Sequence, residues 1–163
     1  MSFNSPESFL EKLNKWFNGL IALPLLAVGY GYLELYSGGI KGLIEIDIYI
    51  TAAIITVLIV YAIIVTRNYK KEIKLISKDV TLLAKLESYF VLSKQFYIKI
   101  FVISMVAVLG LYVAGSIAYA GFYAFLLFLL SIYRPSLLTV AAKLGMKKEE
   151  RKEFIKNSKT VIN

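Results

Sequence analysis

The sequence predicts an all-α integral membrane protein whose chain crosses the bilayer four times. Hydrophobic residues make up 58% of the chain and the mean hydropathy is +0.68, more apolar surface than a soluble domain of 163 residues can bury. Asp47 is followed by 19 residues without a charge, and about 20 such residues cross the hydrocarbon as a helix. Of the 19 Lys and Arg residues, all but Lys41 lie on the same side of the predicted spans. The positive-inside rule identifies that side as cytoplasmic.

Residues 1–17 are predicted to form an amphipathic helix that lies in the headgroup region. Asn4-Ser5-Pro6 is a helix-start signal, and Phe9 and Leu13 recur at helical spacing opposite a charged face. Trp16 is expected to anchor this helix at the membrane surface. A cleaved signal peptide is the alternative, but a long lead-in that contains acidic residues disfavours it, so we expect the segment to be retained.

Span one is predicted at 18–38 and is the most unusual of the four. Pro24 removes a backbone donor, so a kink is expected in the turn before it. Gly29 and Gly31 follow, and Ala27 with Gly31 forms a small-residue face that another helix can approach closely. This pattern predicts that span one lines a subunit interface or the axis of an assembly.

Span two, predicted at 47–66, continues into a connector at 67–96 that is also helical. Apolar residues recur there every three or four positions, with a break expected at Ser77–Asp79. Two interpretations remain open for this amphipathic connector. It binds anionic lipid headgroups through its lysines, or it packs against neighbouring helices of a bundle. The lysines concerned are Lys71, Lys74, Lys78 and Lys85.

Spans three and four are predicted at 97–117 and 120–140, followed by a basic cytoplasmic tail at 143–163. Span three carries a stripe of small residues where a second helix, from the same or another subunit, can approach: Gly110, Ala114 and Ala118. Arg134-Pro135 predicts a kink or restart in span four, with Pro135 in a first helical turn. The Arg134 side chain is expected to reach the inner headgroups.

Composition excludes several classes of function. The chain has no Cys and no His, which removes thiolate chemistry and the commonest general base and metal ligand. No phosphate-binding glycine loop or paired intramembrane carboxylates are present. We therefore expect neither an enzyme nor a bound metal or cofactor. The net charge of +8 lies beside the membrane, so nucleic acid is not expected as a partner.

Three carboxylates on the outer side form the candidate ion site. Glu34 lies in the outer part of span one, where a carboxylate is costly to bury, and Glu45 and Asp47 would strengthen its negative field. In an oligomer, one Glu34 per subunit would form an acidic ring that attracts cations. The alternative is an ordinary interfacial residue that caps span one or pairs with Lys41.

Two functions fit these patterns, and the kink, glycines and carboxylate of span one favour the first, with the second as the alternative. In the first, a homo-oligomer forms an ion-conducting pore or transport unit with span one near the axis. In the second, the chain is a non-conducting accessory or scaffold subunit that holds another membrane protein. We expect the inner membrane of a prokaryote, anionic lipid at the basic side and both termini in the cytoplasm.

Overall fold

The computed structural model describes residues 6–39, 41–76 and 81–146, together with Arg151 and Phe154. These residues form helices and no strand, which confirms the all-α class. The helices are α1 (Pro6–Ser37), α2 (Ile48–Lys74), α3 (Leu82–Ala114), α4 (Ala118–Ile132) and α5 (Leu137–Lys143). Within this described part, α1, α2 and α3 are each long and apolar enough to cross a membrane, and a fourth span arises only if α4 and α5 are taken together.

Helix α3 is the centre of the bundle, because α1, α2 and α4 all pack against it. One face of α3, which includes Ile100 and Leu111, is buried, and another, which includes Val102 and Leu109, is exposed. Helices α1 and α2 also leave large apolar side chains on the outer surface, with Leu26 exposed by 74% and Val57 by 67%. Outward apolar faces of this size suit helices that contact lipid.

The two ends of the bundle differ in charge, and we call them the basic end, which carries most of the lysines, and the acidic end, which carries Glu34, Glu45 and Asp47. At the basic end, the first turns of α1 and α3 lie beside the last turns of α2 and the whole of α5. At the acidic end, the α1–α2 loop meets the α3–α4 turn. There, the backbone N–H groups of Leu43 and Ile44 donate to the Val113 carbonyl at 2.8 and 3.0 Å. Gly42 and Gly115 both have positive φ, and a Cβ on either would lie within 3.0 Å of the other's backbone.

The separate helix predicted at residues 1–17 is not present in the described residues. Instead, α1 is one helix that passes through Pro24 without a break. Its first turns carry the predicted apolar face, in which Phe9 and Leu13 are fully buried and Phe17 nearly so. This face is covered by protein, because α3 begins far enough before span three to run alongside it.

Aromatic contacts fasten the start of α1 to α3. The Phe9 ring lies 6.2 Å from the Tyr89 ring, and the Phe17 ring lies 5.2 Å from the Tyr97 ring, with the second pair edge to face. Such pairs contribute about 0.5–1.5 kcal/mol beyond the area they bury. The apolar face at the start of α1 was predicted to contact lipid, and α3 of the same chain covers it instead.

The 67–96 connector is made of the end of α2 and the start of α3, as predicted. Ile73, Leu86 and Phe90, three of its periodic apolar residues, are buried between helices. This burial favours bundle packing over a lipid-bound amphipathic helix. The break expected at Ser77–Asp79 and the side chain of Lys78 lie outside the described residues.

The predicted restart of span four at Arg134-Pro135 is confirmed, but the single span at 120–140 is not. Helix α4 ends at Ile132, and α5 leaves it at an angle of 76°. The residue before a proline avoids helical backbone angles, which ends α4 at this point. Ser136 then caps α5 by accepting from the Thr139 N–H at 3.2 Å, so Pro135 precedes the cap and does not lie in the first turn.

Candidate functional site

The three predicted acidic residues lie at the acidic end, and two of them have local structural partners. The Glu34 carbonyl accepts from the Gly39 N–H at 2.8 Å and from the Ser37 hydroxyl at 3.1 Å, where α1 ends. Asp47 caps α2, with its Oδ1 atom 2.7 Å from the Tyr49 nitrogen. Glu45 is exposed in the loop, and no group of three potential metal ligands occurs among the described residues.

The small-residue face of α1 is used within the chain. A Cβ at Gly31 would lie 2.9 Å from side-chain atoms of Leu111 and Tyr112, so α3 approaches α1 closely there. The Tyr112 hydroxyl donates to the Ala27 carbonyl at 2.9 Å. Pro24 is buried as well, whereas Gly29 faces open space. Three of the four predicted packing positions on α1 therefore lie within the bundle.

A tyrosine of α4 supports α1 beside its proline. Pro24 cannot donate a backbone hydrogen bond to the Leu20 carbonyl, and the Tyr123 hydroxyl donates to the neighbouring Ile21 carbonyl at 3.2 Å. Neither Tyr112 nor Tyr123, which link α1 to α3 and α4, was predicted from the sequence. The backbone donor missing at Pro24 was the one sequence signal that this part of α1 needs outside support.

The small-residue stripe of α3 is also largely internal. A Cβ at Gly110 would collide with the ring of Tyr119, which packs back from α4. Ala114 is approached by the backbone of Gly42. Ala118 is exposed as the first residue of α4. Of the two alternatives for this stripe, the geometry favours contact within one subunit.

The most densely built polar region lies at the basic end and was not predicted. We call it the aromatic–lysine cluster: Tyr69, Tyr89, Ser93, Phe96, Tyr97, Tyr133 and Lys143. The Tyr69 ring stacks on Phe96 with centroids 4.3 Å apart, and its hydroxyl lies 2.8 Å from the Ser93 hydroxyl. The Tyr97 hydroxyl donates to the Tyr133 carbonyl at 3.1 Å, where α4 ends. The cluster joins α2, α3, α4 and α5.

Lys143 places its ammonium group among the tyrosine rings. The Nζ atom lies 4.9 Å from the centroid of Tyr133, 5.4 Å from that of Tyr69 and 6.0 Å from that of Tyr89. This atom is buried and has no hydrogen-bond partner among the described residues. Cation–π attraction to the rings offsets part of the cost of burying the charge.

Burial also changes proton affinities in the cluster. It lowers the pKa of the Lys143 ammonium to about 8, with the nearby positive charge of Lys70 acting in the same direction. Burial likewise raises the pKa of the Tyr69 and Tyr89 hydroxyls. The cluster thus favours neutral groups, which suits a structural joint that holds α5 across the end of the bundle.

Replacing Lys143 with methionine is expected to flatten the pH dependence of stability between pH 7 and pH 9.5. Because the pKa of Lys143 is lower in the folded chain, the unfolded chain binds more protons above pH 8, and wild-type stability rises with pH. Tyrosine ionisation acts oppositely but only near pH 10 and above. Unfolding in mild detergent at several pH values measures the slope of the free energy of unfolding against pH for the wild type and for the variant. Equal slopes for the two proteins would show that Lys143 does not titrate in this range.

The predicted headgroup residues lie around the basic end. Lys71, Lys74 and Arg134 are exposed, and Lys85 is partly exposed. Trp16 is exposed by 36% and carries the Lys94 Nζ atom 4.3 Å above its ring. Their positions fit a ring of cations beside the membrane, with Trp16 at the point where α1 would enter it.

Comparison of the chain with protein-family models, with curated proteins and with solved structures found no match.

Proposed function

We propose that the chain is a four-span, non-conducting accessory or scaffold subunit that holds a partner at the basic end of its bundle. The fourth span in this proposal is made by α4 together with the bent α5 at its basic end. The Tyr97–Tyr133 hydrogen bond sets the end of α4 level with the start of span three. From there, residues 97–114 of α3 rise about 25 Å and α4 rises about 22 Å, so both cover a similar depth.

The packing of α1 argues against a pore along this helix. Ala27 and Gly31, which would have to face an axis, contact α3 of the same copy. The intramembrane hydroxyls of Tyr112, Tyr123 and Ser104 all donate to backbone carbonyls, so their hydrogens are used within the bundle, as is usual for such groups between helices.

The observation that carries the proposal is an apolar tip on a long extension. Beyond the predicted spans, α2 continues to Lys74, and α3 begins about 22 Å before residue 97. Leu75, Leu82 and Leu83 are exposed at this tip by 80%, 44% and 57%. Exposed leucines outside the membrane are costly in water and mark contact surfaces.

The charges around the tip indicate the chemistry of the partner. Lys71 and Lys74 are exposed on α2, and Lys85 is partly exposed on α3. A protein surface with an apolar centre and an acidic rim would match this arrangement. The positive-inside rule would place both the tip and the partner in the cytoplasm.

Site-specific photo-crosslinking in native membranes tests the proposal. A photo-reactive residue at Leu83 is expected to form one discrete adduct with another protein, and Leu75→Glu should abolish it. The same residue at Val57, which is exposed in the middle of α2, serves as the control and should react only with lipid. Adducts with lipid alone at Leu83 would place the tip in the membrane and would contradict the scaffold function.

A further inference from the structure

We infer that the groove between α1 and α3 at the basic end binds one anionic phospholipid. The groove has a volume of about 640 Å³ and is lined by Lys12 and Trp16 of α1 and by Glu87, Phe90, Lys94 and Ile98 of α3. The binding requires only that the spans cross a membrane, and it is independent of the proposed scaffold function.

The depth of the groove matches that of a lipid headgroup. Trp16 precedes the predicted start of span one at residue 18, and Ile98 follows the predicted start of span three at residue 97. Tryptophan concentrates at the level of the headgroups in membrane proteins. The groove therefore opens where the glycerol and phosphate of a lipid in that leaflet lie.

The groove is apolar at its membrane side and charged further from the membrane, which matches the order of acyl chains and headgroup in a phospholipid. Ile98 lies at the membrane side and is exposed by 38%, which suits an acyl chain. Glu87 lies three turns earlier on α3, about 16 Å further from the membrane. Lys94 lies between these residues, at the depth of the phosphate group.

Lys94 supplies the charge that selects an anionic lipid. Its Nζ atom lies 4.3 Å above the Trp16 ring, and this cation–π contact positions the ammonium without using a hydrogen-bond acceptor. Its N–H groups can therefore donate to phosphate oxygens. Lys12 adds a second positive charge to the same groove, against the one carboxylate of Glu87.

Trp16 is the one tryptophan of the chain, so its fluorescence reports directly on this groove. The full chain is placed in phosphatidylcholine nanodiscs that contain a small fraction of one brominated lipid. This lipid is either phosphatidylglycerol or phosphatidylcholine, each brominated near the glycerol and each used at the same mole fraction. Bromine quenches tryptophan only at short range. We expect an apparent binding constant about fivefold higher for the brominated phosphatidylglycerol, the factor that corresponds to about 1 kcal/mol for one lysine at an anionic headgroup.

Three variants test whether Lys94 produces this preference. Lys94→Gln should abolish it, whereas Lys94→Arg, which keeps the charge and the contact with the ring, should retain it. Arg67→Gln removes one positive charge from an exposed position on α2 outside the groove and should leave the preference unchanged. Equal quenching by the two lipids in the wild type would overturn the inference. An equal loss in Arg67→Gln and Lys94→Gln would also overturn it, because general surface charge would then explain the preference.

Discussion

Replacement of Tyr69 by alanine is expected to lower the free energy of unfolding by about 3–5 kcal/mol, the usual cost of removing a large aromatic side chain from a core. Tyr69 is only 2% exposed and stacks on Phe96 at 4.3 Å. Its ring also faces Tyr133 and the ammonium of Lys143. The substitution would open a cavity where α2, α3, α4 and α5 meet, and it would leave Ser93 buried without its hydroxyl partner.

Denaturant titration in mild detergent, followed by circular dichroism, measures this loss. Tyr61→Ala is the matched control, because Tyr61 lies on the same helix but is exposed by 49%. We expect the control to change the free energy of unfolding by less than about 1 kcal/mol. Similar losses for the two variants would contradict the placement of Tyr69 at a joint between helices.

Replacement of Gly31 by leucine is expected to destabilise the bundle by about 1–3 kcal/mol, the cost of overpacking a close contact. The first added carbon would already lie 2.9 Å from Leu111 and Tyr112. The larger side chain would therefore push α1 away from α3 and would stretch the hydrogen bond from the Tyr112 hydroxyl to the Ala27 carbonyl.

Gly29→Leu provides the control for this second substitution, since it adds the same atoms two residues earlier on α1. No atom lies within 4 Å of a Cβ placed at Gly29, so the side chain would enter open space. Thermal unfolding of both variants in the same detergent compares them directly. A larger loss for Gly29→Leu would instead place the critical contact on the outer face, as the pore interpretation requires.

Local patterns in the sequence predicted the helices better than they predicted what covers each face. The spacing of Phe9, Leu13 and Phe17 identified a helix with one apolar face. Periodicity cannot distinguish a lipid surface from the aromatic side of α3, so this segment was separated from span one. The break at Arg134-Pro135 was predictable because the restriction before proline acts between adjacent residues.

The candidate site was harder to predict, because its contacts join residues far apart in the chain. Tyr69, Tyr89, Tyr133 and Lys143 each have an ordinary local explanation, as interfacial tyrosines or a tail lysine. Only the tertiary fold brings them together. Conversely, Glu34 was predicted as an ion site because it is a carboxylate in a span, and the structure places it where α1 ends, with its carbonyl accepting from Ser37 and Gly39.

Cation flux into liposomes that contain the purified chain tests the central claim, that this bundle does not conduct. Under an imposed potassium gradient, we expect the wild-type chain and Glu34→Gln alike to give the flux of protein-free liposomes. An ionophore added at the end confirms that each gradient was intact. Flux above that background in the wild type, reduced by Glu34→Gln, would contradict the account and would establish a pore with Glu34 at its mouth.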